Sequence, residues 1–125
     1  MKRKFVLLTL LLLVATIASA QLKATVATTP SPSVTLSWGE TTPNVTFEVY
    51  RSTTPGGEDY TQPLATGLTV MTYLDTTVVR GTTYYYTELA IAAGPPVLKS
   101  PPSNEVLAAI PTAPASPSQN PAVVN

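Results

Sequence analysis

Apolar and polar side chains alternate along this chain in short stretches. From Ser33 to Trp38, Val34, Leu36 and Trp38 share one side of an extended segment and Ser33, Thr35 and Ser37 the other. A period of two is that of a half-buried strand. Thr46–Arg51 repeats it with Phe47 and Val49 inward. Thr72–Asp75 reads as a short strand, Thr82–Ala92 as the longest β-rich run, and Ser103–Ile110 as the last strand. Thr54-Pro55-Gly56-Gly57 marks a tight turn, because proline presets φ at one position and glycine accepts positive φ at the next; Arg80-Gly81 marks another. After Gln21 no segment keeps a 3.6-residue apolar period over three turns. Short strands separated by turns, without helices, predict an antiparallel sandwich.

The two ends follow other rules. Lys2, Arg3 and Lys4 precede an apolar run from Phe5 to Ile17, which is followed by Ala18-Ser19-Ala20. Basic start, apolar centre and small residues in that order predict a signal peptide over residues 1–20, with cleavage after Ala20. At about 13 residues the apolar run is shorter than the ~20 that cross a bilayer as a helix. With no cysteine to carry a lipid, the expectation is a secreted protein without a membrane anchor after cleavage: extracellular, on the cell surface or periplasmic. Residues 22–110 form the folded domain on this reading. Residues 111–125, rich in proline and without aromatics, have too little apolar surface to offset their ordering entropy and are expected to be a disordered tail.

Without the leader the charge balance changes. Lys23, Arg51, Arg80 and Lys99 face seven acidic residues, a formal charge of −3. Four scattered cations form no basic stripe, which argues against nucleic acid and anionic membranes as partners. The remaining chain of about 105 residues suits one domain. It has no cysteine and hence no disulfide, so its stability rests on a few large side chains, with Trp38 expected at the centre.

Taken together, these segments resemble a fibronectin type III domain from Leu22 to Ile110. Val34-Thr-Leu-Ser-Trp38 is similar to the family's strand B with its core tryptophan, and Phe47-Glu-Val-Tyr-Arg51 with the following Ser-Thr-Thr-Pro-Gly-Gly to strand C and its hairpin. Thr72-Tyr-Leu-Asp75 is similar to strand E, Gly81-Thr-Thr-Tyr-Tyr-Tyr86 to the start of strand F, and Ser103-Asn-Glu-Val106 to the opening of strand G. The resemblance implies a seven-stranded antiparallel immunoglobulin-like sandwich, all-β, in which Tyr84 is the corner tyrosine whose hydroxyl ties back to nearby backbone. Two departures stand out. Glu88 falls at an inward, normally aliphatic position of strand F and is expected to be turned outward by a bulge or an edge placement. The segment Ala93–Pro102 is apolar and holds four prolines, and the Arg-Gly-Asp triplet is absent.

Catalytic chemistry is poorly supplied. Without histidine or cysteine a Ser-His-Asp triad, a thiol nucleophile and the usual zinc sites are excluded. Glu58-Asp59 reads as a solvated hairpin tip and not as part of a calcium cage, which needs six to eight oxygens. A small sandwich has little concavity to offer a glycosidase carboxylate pair. Asn44-Val45-Thr46 matches a glycosylation sequon, a short pattern that also arises by chance.

Alternation sends Tyr84 and Tyr86 inward and Tyr85 outward. Tyr85 beside Tyr50 then makes either a cross-strand pair or a small aromatic contact surface. Pro95, Pro96, Val97 and Leu98 make either a stiff connection with Val97 or Leu98 folded on the core, or a pre-ordered apolar ridge for a partner. Tyr50, Tyr85, Pro95, Pro96, Val97 and Leu98 are therefore the candidate contact residues. The expected function is a non-catalytic secreted binding or adhesion module for a protein or polysaccharide, monomeric, with no metal and no cofactor. The alternatives are a structural subunit of a cell-surface assembly and an accessory domain of an extracellular hydrolase system.

Overall fold

The computed structural model describes residues 21–114. The expected leader and its cleavage after Ala20 lie outside the described residues, as does the tail beyond residue 114; residues 111–114 are exposed. The strands are β1 (Lys23–Ala27), β2 (Ser33–Ser37), β3 (Val45–Ser52), β4 (Ala65–Leu68), β5 (Thr72–Asp75), β6 (Thr83–Ala92), β7 (Leu98–Lys99) and β8 (Val106–Ala109). They form two antiparallel sheets, β1-β2-β5 and β4-β3-β6, with β7 and β8 both paired to β6.

Eight strands, and not the expected seven, result from a break in the last one. β7 pairs with Ile91 and Ala92, and β8 with Thr83 to Tyr86. Between them lies Ser100-Pro101-Pro102-Ser103, where proline has no N–H to give to a ladder. The two serines carry the edge of β6 past the break. Ser100 N–H donates to Ala90 O (2.9 Å) and Ser103 N–H to Glu88 O (2.9 Å). In return Ala90 N–H donates to Ser100 Oγ (2.9 Å) and Glu88 N–H to Ser103 Oγ (3.0 Å). Backbone groups of β6 that would otherwise be buried without partners are satisfied in this way.

The core lies between the sheets: Val34, Leu36 and Trp38 from one side, Phe47, Val49, Tyr84, Tyr86 and Ala90 from the other, closed by Leu22, Val78, Ala108 and Ile110. Trp38 meets Phe47 edge-on, with ring centroids 5.4 Å apart. The corner tyrosine behaves as the resemblance implied: Tyr84 OH accepts a hydrogen bond from Val79 N–H at 3.1 Å.

Glu88 corrects an expectation. It is fully buried, not turned outward. The β3–β6 pairing runs through Val49↔Glu88 and Phe47↔Ala90 without a bulge, so strict alternation carries Tyr84, Tyr86, Glu88 and Ala90 to one face. Burial, together with the charge of Glu40, pushes the Glu88 carboxyl up to about 7.

Candidate binding face

Alternation along β3 and β6 gives the larger sheet an outer face as well. Phe47 and Val49 point to the core, so Glu48, Tyr50 and Ser52 point away from it, joined across β6 by Leu89, Thr87 and Tyr85 respectively. Leu107 of β8 lies opposite Tyr85 and extends that row. On the expected pattern this face meets water, yet Tyr50 and Thr87 are buried.

The cover is the segment 53–64 between β3 and β4. It starts with the turn expected at Thr54–Gly57: Gly57 N–H donates to Thr54 O at 3.0 Å and Gly56 has φ +63°. A Cβ at Gly57 would meet Ser52 Oγ at 2.7 Å and Thr54 O at 3.1 Å, so any larger residue there requires the Ser52 hydroxyl and the turn to shift. The segment then lays Tyr60 over Tyr50, with centroids 5.0 Å apart, and brings the Tyr60 hydroxyl 3.3 Å from Thr87 Oγ1. It rejoins the sheet where Leu64 N–H donates to Val49 O at 2.7 Å.

Tyr50 is therefore a floor and not a contact residue, a correction to its assignment as a partner contact. Its hydroxyl donates to Glu48, and burial and the Glu48 carboxylate raise its pKa. Tyr60 takes its place, with 41% of its surface exposed. Tyr60 has no alternating partner in a strand, only a position in a turn-rich stretch, so no sequence period marks it. Tyr85, half-buried, lies on the outer side where alternation placed it, and Leu107, exposed, continues the patch.

Polar groups border the patch. Glu48 accepts from Lys99 Nζ at 2.8 Å and from Thr66 Oγ1 at 3.4 Å. Burial works to raise the Glu48 pKa, but the bonds from Lys99 and Tyr50 outweigh it and hold the carboxyl below its usual value. Lys99 belongs to β7, so the Pro-rich connection joins this face. Pro95 and Pro96 are exposed, as are Val97 (61%) and Leu98 (53%). Neither Val97 nor Leu98 folds onto the core, which overturns the stiff-connection alternative in that form. An open depression of about 390 Å³ lies elsewhere, beside Trp38, Lys23 and Ser37. Trp38 is almost wholly enclosed there and offers a ligand little surface.

Among the described residues no group of three or more acidic side chains is placed to hold a metal ion. Asp59 uses its carboxylate on Thr61 N–H (2.9 Å) and Thr61 Oγ1 (2.6 Å), a local turn bond.

No protein-family model matches the chain, and no curated protein matches it. Solved structures do. A Fn3-like protein from Clostridium thermocellum is 28% identical, with a TM-score of 0.63 over 80% of this chain and 99% of that one. A beta-1,2-glucanase from Parabacteroides distasonis (19% identity, TM-score 0.56) matches 79% of this chain with 13% of its own. Pectate lyase PelI from Erwinia chrysanthemi (24%, 0.53) matches 70% of this chain with 28% of its own. The last two likenesses are of fold alone. With its strand order, its corner tyrosine and its match to nearly the whole of a Fn3-like protein, the chain is a fibronectin type III-like β-sandwich.

Proposed function

We propose that the protein is an exported, non-catalytic binding module that holds a polysaccharide against the outer face of its larger sheet. The observation that carries this reading is Tyr60: an exposed ring, fixed by Tyr50 beneath it and by Thr87 at its hydroxyl, so that it gives contact area with little loss of side-chain freedom. Tyr85 and Leu107 extend the apolar strip, and Glu48, Thr66 and Lys99 supply donors and acceptors at its border. Sugars suit such a surface because their C–H faces stack on rings while their hydroxyls bond to the rim. The fold also forms a small share of the glucanase and the pectate lyase chains, a setting that supports an accessory role beside a carbohydrate-active enzyme. No catalytic group is assigned: Asp75 and Glu88 are sealed in the interior, and histidine and cysteine are absent. The module acts as a monomer, without a cofactor, on partners other than nucleic acid.

Affinity electrophoresis of the chain through gels holding single polysaccharides, neutral and acidic, tests this. Retardation by at least one of them is expected; free migration through a broad set contradicts it. The exposed ridge of Pro95, Pro96, Val97 and Leu98 favours a second reading, a protein partner docking there. In that case Val97→Ser and Leu98→Ser abolish binding, and Tyr60→Ala leaves it intact.

A further inference from the structure

The segment that carries Tyr60 is fastened at a second point, on the far side of β6. Val106 pairs inward with Tyr86, so its neighbours Glu105 and Leu107 sit on the outer side of the sheet. From there Glu105 Oε2 accepts the Gly56 N–H at 2.6 Å, across 49 residues of sequence. Segment 53–64 thus reaches from β3 past β6 to the start of β8, as a strap across the face.

The strap presses a second carboxyl into this contact. Glu58 is 8% exposed and hydrogen-bonded to Glu105, and its Oε1 is buried without a partner. Two carboxyls share such a bond only while one of them keeps a proton, since only the protonated group donates. Among the described residues no cation offsets the pair. Glu105 is the charged side chain whose field reaches Glu58. Asp59, next in sequence, is exposed and occupied with Thr61. Arg51 is bound to Asp75 and Lys99 to Glu48. Burial pushes the Glu58 carboxyl above its ordinary value; the bond from its own backbone N–H opposes this, and the charge and hydrogen bond of Glu105 add smaller pushes in the direction of burial.

We propose that Glu58 and Glu105 form a proton-operated clasp that holds the strap, and Tyr60 with it, against the sheet and releases it when Glu58 gives up its proton. At acid pH the shared proton closes the clasp. As pH rises, two adjacent carboxylates repel, one of them already deprived of water, and Gly56 loses its acceptor. The Tyr60 ring then lifts from Tyr50 and the patch loses its fixed centre. That this regulates ligand binding rests on the binding face proposed above; the clasp itself does not.

The test is therefore made on the unliganded full exported chain. Amide NMR of Gly56, and hydrogen exchange of residues 53–64 corrected for intrinsic rates, are followed from about pH 4 to about pH 8 in the wild type, Glu58→Gln and Glu105→Gln. In the wild type the Gly56 resonance is expected to move in one step above the ordinary carboxylate range, with a loss of protection of roughly tenfold or more confined to the strap. Glu58→Gln keeps a donor for Glu105 and is expected to abolish the step and stay closed. Glu105→Gln is expected to abolish it as well. A wild-type strap whose protection does not change with pH overturns the clasp, as does an undiminished step in Glu58→Gln. Either result leaves the binding face to be judged by its own experiment.

Discussion

Arg51 on one sheet and Asp75 on the other are joined through the interior, Nη1 to Oδ2 at 2.7 Å. Asp75 is fully buried, and its oxygens also accept from Tyr86 OH (2.9 Å), Thr77 N–H (2.8 Å) and Thr77 Oγ1 (2.7 Å). Arg51 lies 4.8 Å from the centroid of the Tyr84 ring and donates to Thr77 Oγ1 at 2.8 Å. The Asp75 carboxylate accepts from four donors on three residues, so the polar cluster ties the sheets together at a definite register.

Removing Asp75 strands a cation and a buried phenol at once. Asp75→Ala is expected to cost about 3–5 kcal/mol in denaturant unfolding, the range for breaking a buried pair from one side. Burial would raise the Asp75 pKa, but hydrogen bonds from Thr77, Tyr86 and Arg51 hold it below its ordinary value. A depressed folded pKa gives stability that is present above the unfolded value and is lost as pH falls through the folded one. The wild type should weaken on that acid limb, and Asp75→Ala should lack this part of the loss.

Glu88 has the opposite sign. Its folded pKa of about 7 lies above the ordinary 4.5, so the folded state binds the proton more tightly. Stability on this account is full below the unfolded value and declines as pH rises through about 7, by an amount on the order of 3 kcal/mol. Glu88→Gln should flatten that decline, and Glu88→Val should stabilise at neutral pH. Unfolding midpoints at about pH 5 and about pH 8 check both: a wild type equally stable at the two would contradict the burial of an ionisable carboxyl.

Tyr84 and Tyr85 separate the two faces of β6. Tyr84→Phe leaves the Val79 N–H without its acceptor and should cost ~1 kcal/mol or somewhat more. Tyr85 faces outward, and Tyr85→Phe should change the unfolding midpoint by less than about 0.5 kcal/mol. Equal losses would contradict the register Tyr85↔Leu107.

The fold was legible where period two was undisturbed. Val34, Leu36, Trp38, Phe47, Val49 and Tyr84 all enter the core they were expected to enter. The same pattern carried Glu88 inward, and the expectation of an outward turn came from its cost alone. That cost is borne, and no bulge relieves it. β4 and the split of the last strand were less visible. Ala65–Leu68 is short and contains Gly67 at φ +67°, and the break before β8 depends on serine side chains standing in for a backbone ladder. The contact face was half legible. Alternation put Tyr85 outside, but whether Tyr50 is open depends on a long connection folding back over it, a tertiary fact without a local pattern.

The most direct measurement compares retention of the wild type and Tyr60→Ala by a polysaccharide that slows the wild type. Tyr60 stands on the surface and its loss leaves the core intact, so the variant should keep its fold, as its near-ultraviolet circular dichroism can show. Affinity is expected to fall roughly tenfold, the scale of one stacked ring, and Val97→Ser is expected to bind as the wild type does. A folded Tyr60→Ala that is retained as strongly as the wild type would contradict the binding face.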